Sequence, residues 1–111
     1  MKVPPELDQD QTLAARQGET RGSRIFSFKK GQKGDALIIA VRCQGKGELK
    51  VSVKTVHAAF PLACVDGEVS TTYNMVNMSG ADKEGTVAVT APSAVRWSMT
   101  IGRGEPPKEE R

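Results

Sequence analysis

From Ser23 to Ile101 the large apolar side chains recur at every second position, and turns marked by glycine or proline interrupt them every eight to twelve residues. A period of two is that of a pleated strand, with alternate side chains on opposite faces, so this stretch is committed to β structure. Phe26 and Phe28 share one face of Ser23 to Lys30. Leu37, Ile39, Val41 and Cys43 share one face of Asp35 to Cys43, with Ile38 and Ala40 opposite them, the pattern of a central strand covered on both sides. Glu48 to Val56 alternates Leu49, Val51 and Val53 with Lys50, Ser52 and Lys54, as a strand with one wet face does. Glu68 to Met78 reads as a long strand whose parity slips near Met75 and Val76, which suggests a bulge. Thr86 to Ala91 and Val95 to Ile101 complete the set, the last pointing Val95, Trp97, Met99 and Ile101 one way.

Seven or eight short strands at this spacing predict a single antiparallel β-sandwich over residues 23–102. A jelly-roll or an immunoglobulin-like strand order would satisfy the pattern, although Trp97 follows both cysteines instead of lying between them as in immunoglobulin domains. Composition agrees: Val and Gly each occur 11 times and Thr 8 times among 111 residues, whereas aromatics make up 5%. A chain of this length holds one domain.

The ends read differently. Residues 1–22 offer only Val3, Leu7 and Leu13 as large apolar groups, too little burial to offset chain ordering, so a flexible arm or tether is expected, with at most a short helix over Glu6 to Gln17. Residues 103–111, with Pro106, Pro107 and six charges, read as a disordered tail. The longest apolar run, Ala36 to Val41, is six residues, against roughly 20 for a membrane-crossing helix.

Cys43 and Cys64 are the only cysteines. They form either a disulfide or two buried thiols; the disulfide is the economical expectation, since closing a loop of about 22 residues stabilises a small β core by about 3 kcal/mol in the chain-entropy model. A disulfide implies a compartment outside the cytoplasm. Met1 to Pro5 leads directly into polar sequence without the apolar stretch of an export signal, so either the chain is a mature fragment with Met1 added, or the extracytoplasmic reading is wrong.

No constellation supports catalysis, so a non-enzymatic protein without cofactor or metal is expected. His57 is the sole side chain with an ordinary pKa near neutrality, and no serine sits in a G-x-S-x-G elbow. Asp35, Asp66, Glu68, Asp82 and Glu84 fall in or beside turns, where acids serve solubility and turn geometry. Asp8, Asp10, Thr12 and Glu19 mimic calcium-loop spacing, but Leu13 stands where a glycine is required. Residues 23–102 carry a net charge of +4, with Lys29, Lys30 and Lys33 crowding one turn. No aromatic is interleaved with them for base stacking, which disfavours nucleic acid and favours a solvated basic edge.

Binding candidates are few. His57 to Gly67 is less regular, and its Pro61 argues for an edge strand or a connection. Within it, His57 to Cys64 leaves an alternating strand and carries Phe60 and Leu62, an apolar loop able to dock a protein unless the two side chains plug one end of the sandwich. Tyr73 is a candidate sugar-stacking platform, and Trp97 a weaker one given its apolar companions. Asn77-Met78-Ser79 fits a glycosylation sequon.

The run Val41 to Val53 with its Cys-Gln-Gly-Lys-Gly-Glu-Leu core, the second cysteine in Leu62 to Gly67, and the closing Val89 to Ile101 together resemble small secreted proteins and lipoproteins of actinobacteria over residues 23–102. The resemblance implies a disulfide-bridged β-sandwich exported to the cell envelope, with the N-terminal segment as a spacer from a lipid anchor. The expected function is a non-catalytic extracytoplasmic binding or envelope module for an unknown protein or glycan. A carbohydrate-binding module, or a protein ligand or inhibitor acting through Phe60 to Leu62, are the alternatives.

Overall fold

A computed structural model describes residues 4–7, 11–53, 58–76 and 82–104. Among these lie eight strands: β1 (Thr12–Arg21), β2 (Arg24–Phe28), β3 (Ala36–Gln44), β4 (Gly47–Val53), β5 (Ala58–Cys64), β6 (Ser70–Val76), β7 (Gly85–Thr90) and β8 (Arg96–Gly104). They build two four-stranded sheets, in the orders β1-β8-β3-β6 and β2-β7-β4-β5. Every pairing between neighbours is antiparallel. The pairs β1 with β8, β2 with β7, β3 with β6 and β4 with β5 nest inside one another, as though one long hairpin had been rolled into a two-layered sandwich. That strand order is the jelly roll.

The core follows from the alternation. Leu37, Ile39 and Val41 of β3 and Trp97, Met99 and Ile101 of β8 face Leu49, Val51 and Val53 of β4 and Val87 and Val89 of β7, all essentially without solvent contact. Trp97 fills the largest share of the volume; its indole N–H donates to the Gly22 carbonyl at 2.8 Å, and its ring packs beside Phe26 at 6.4 Å between centroids. Burial of these side chains is the main favourable term in folding, at about 25 cal/mol per Å² of apolar surface removed from water.

Cys43 at the end of β3 is bonded to Cys64 at the end of β5, with Cα atoms 5.7 Å apart. The link joins the two sheets across the sandwich. Beside it the turn between β3 and β4 is constrained by Gly45, whose φ is +119° and where a Cβ would lie 2.2 Å from the Ala94 carbonyl oxygen. Only glycine fits that approach.

Three expectations are corrected, and one open choice is resolved. Residues 12–21, expected within a flexible arm or a short helix, instead form β1, an edge strand along β8; its two register shifts, between Leu13 and Ala15 and between Gln17 and Thr20, erase the period-two signal. Arg103 and Gly104, expected in the tail, end β8, and Arg103 is buried. For the His57 to Gly67 stretch, where Pro61 argues for an edge or a connection, the edge holds: it supplies β5, and Pro61 is tolerated because β5 is an edge strand. No bulge interrupts β6: it pairs with β3 in unbroken register from Ser70 to Val76, and Met75 breaks the apparent parity because it is an apolar residue on the outer face.

The arm also explains why Ile38 and Ala40 are buried although they point away from the core. Pro4 and Pro5 are buried, Thr100 Oγ1 donates to the Pro5 carbonyl, and Leu7 seats over Gly102, where a Cβ would come within 2.6 Å of its Cδ2. Residues 4–7 thus lie as a strap on the outer face of the first sheet. Gly102→Ala is expected to unseat Leu7, lowering stability by about 1 kcal/mol. Cleavage after Glu6 by a glutamyl endopeptidase should accelerate in the same variant; an unchanged cleavage rate would show that the strap does not depend on this seat.

Candidate functional site

At the end of the sandwich away from the disulfide, the turn between β2 and β3 approaches residues 82–84, ahead of β7, and the end of β8. The residue that ties them is Arg103. It stands on the inward parity of β8, after Trp97, Met99 and Ile101, and is 2% exposed. One terminal guanidinium nitrogen donates to the Lys29 carbonyl at 2.7 Å and the Lys83 carbonyl at 2.8 Å, and its Cζ lies 5.3 Å from the centre of the Phe28 ring. Burial lowers the pKa of this guanidinium, while the nearby Asp35 and Asp82 carboxylates oppose that fall. Arginine suits this place because its planar fork can serve several carbonyls at once and its weakly hydrated cation stacks on an aromatic face.

The loop carboxylates are occupied by backbone. Asp35 Oδ2 accepts from the Gln32 N–H at 2.9 Å, and Asp82 Oδ2 accepts from the Gly34 N–H at 3.0 Å. The Gly31 N–H donates to the Asp82 carbonyl at 2.8 Å, which ties the turn between β2 and β3 to the residues ahead of β7. Lys29, Lys30, Lys33 and Lys83 remain exposed on this frame. They border a cleft of about 700 Å³ between the turn and β1, lined by Lys29, Lys30, Gln32, Asp35 and Arg103 among others, and a shallower depression that shares Lys30 with Lys33 and Lys83. Asp35 and Asp82 build the loop, Glu84 adds one exposed acid to the depression, and the four ammonium groups are left to solvent or to a ligand. An opening with this surplus of positive charge attracts carboxylate, phosphate or sulfate groups.

The residues singled out from the sequence do not converge on one site. Phe60 and Leu62 stand opposite Val51 and Leu49 in the β4–β5 ladder and pack half-buried against the core, so they sit on a strand and not on a protruding loop. Trp97 is fully buried, which removes it as a stacking platform. Tyr73 is 57% exposed on the outer face of β6, beside Met75 at 44%, and with Gln11, Ile38 and Asn74 it lines a depression of about 190 Å³. Lys50 is exposed on β4; Lys54, His57 and the sequon at 77–79 lie outside the described residues. Among the described residues no group of three or more His, Cys, Asp or Glu is placed to hold a metal ion, and no helix is long and apolar enough to cross a membrane.

Arg103 was the residue that sequence reasoning missed. The signal was present: the inward series Val95, Trp97, Met99, Ile101 continues at position 103, but the charge there looks like the end of a strand. No protein-family model, curated protein or solved structure matches the chain.

Proposed function

We propose that this protein is a non-catalytic extracytoplasmic module of the cell envelope that binds an anionic group, carried by a glycan or a protein, in the lysine-bordered cleft. The observation that carries this reading is the division of labour in the turn: Asp35 and Asp82 are spent on backbone N–H groups, while Lys29 and Lys30 stay exposed at the cleft and Lys33 and Lys83 at the adjoining depression. The Cys43–Cys64 bond supports an oxidising compartment. The resemblance to small exported actinobacterial proteins supports an envelope location, with a lipid anchor upstream as part of the same proposal.

The test uses polygalacturonate as a carboxylated polymer, inorganic phosphate as a minimal anion and dextran as a neutral polymer, with calorimetry at low ionic strength. One of the anionic probes is expected to bind and dextran not to. Lys29→Glu combined with Lys30→Glu is expected to weaken that binding about tenfold or more, and salt should weaken it in the native chain, because two attractive charges become repulsive at a screened surface. Failure of both anions to bind, or equal affinity in the double variant, would overturn the cleft as the site. Dextran binding abolished by Tyr73→Ala would instead support the stacking-platform reading.

A further inference from the structure

Four strands end the two sheets: β1, β6, β2 and β5. An edge strand offers a row of backbone donors and acceptors to any other strand, and folds ordinarily block it. Three of these edges carry such blocks. β1 is kinked by two register shifts, the second fixed by Gln17 Nε2 donating to Thr20 Oγ1 and Thr20 Oγ1 donating to the Gly18 carbonyl, and it bears Arg16, Glu19 and Arg21. β2 is only five residues long and starts at an exposed arginine. β5 has Pro61 near its middle, with no N–H to give.

β6 has none of these devices. Its seven residues, Ser-Thr-Thr-Tyr-Asn-Met-Val, contain no charge and no proline, and they hold straight register with β3 throughout. Its outer face presents Thr71, Tyr73 and Met75, all exposed. We infer that β6 is a self-association edge, pairing antiparallel with β6 of a second copy about a two-fold axis through Tyr73 to make one continuous eight-stranded sheet. Tyr73 is the central residue of the strand, so this register alone lets all seven residues pair. It places Thr71 opposite Met75 of the partner, Thr72 opposite Asn74, and the two Tyr73 side chains together on the outer face.

A second copy is the occupant because the edge complements itself. An uncharged strand has no charge pattern with which to select a foreign partner, and it meets its own copy without like-charge repulsion. The blocked edges disfavour the head-to-tail pairing of β6 with another edge that would grow filaments, and a two-fold contact closes after one step. A single seven-residue ladder is smaller than a standard interface of roughly 800 Å² per partner, which places the association in the weak, micromolar range.

Sedimentation equilibrium of the full chain tests this. A dimer is expected at about 100 µM, a concentration that populates micromolar complexes. Thr71→Glu with Met75→Glu sets like charges opposite each other twice across the axis and is expected to weaken dimerisation about tenfold or more. Glutamate is chosen at 71 because Arg42 is its cross-strand neighbour within the chain. Thr71→Glu with Met75→Lys sets opposite charges across the same axis and is expected to restore dimerisation, which separates loss of contact from loss of fold. A native chain that stays monomeric, a double-glutamate variant that dimerises as well as the native chain, or a charge-paired variant that folds but stays monomeric would each overturn the inference.

Discussion

Breaking the Cys43–Cys64 bond lowers the stability of the folded chain by about 3 kcal/mol, the loop-closure entropy returned to the unfolded state when a loop of about 22 residues is released. For a domain of this size that is a fall in melting temperature of about 10 to 20 °C. The effect is large because the bond spans the sandwich: Cys43 ends a strand of one sheet and Cys64 a strand of the other, and both are buried. Cys43→Ala with Cys64→Ala, followed by thermal melting with and without reductant, measures it. The native chain should lose stability in reductant and the double variant should not respond. Two titratable thiols in the unreduced, unfolded chain would remove the bond and with it the support for an oxidising compartment.

Trp97→Ala is expected to cost about 4 kcal/mol, near the whole stability of a small domain, because it opens a large cavity and removes a partly buried hydrogen bond together. Two losses are combined in that figure, and Trp97→Phe separates them. Phenylalanine restores much of the ring contact with Phe26 but leaves the Gly22 carbonyl without its indole donor, a deficit of about 1 to 3 kcal/mol. Urea unfolding followed by circular dichroism measures both variants, since either change removes the sole tryptophan. An alanine variant within about 1 kcal/mol of the native chain would mean that the core repacks around this position.

Six of the eight strands were legible because their side chains report their environment: where one face is dry, apolar residues alternate. β1 was not, and β5 was legible only as an edge strand or a connection. β1 is held largely by its backbone ladder to β8, its inward positions are as small as Ala14 and Thr20, and its two irregularities reverse the parity along the strand. β5 carries a proline that fits an edge strand and a connection equally well, and only the pairing with β4 decides for the edge. The pairing of Cys43 with Cys64 could be anticipated from count and spacing. The cleft could not, because Lys29 and Arg103 meet only when the outermost pair of the nested hairpin closes, and no local motif records that meeting. The strap was hidden likewise: Pro4, Pro5 and Leu7 look insufficient to pack until Gly102 is seen to leave room for them.

The nesting of the strands orders the assembly of the molecule. Of the hydrogen-bonded strand pairs, β4 and β5 lie closest in sequence, while Thr12 must find Arg103 across nearly the full chain, so contacts of widely different loop-closure entropy have to form. The cystine encloses β4 and β5 and almost nothing else. Once oxidised, it confines the innermost turn of the roll to a short ring that later strands can wind around, and the remaining search begins from a fixed centre.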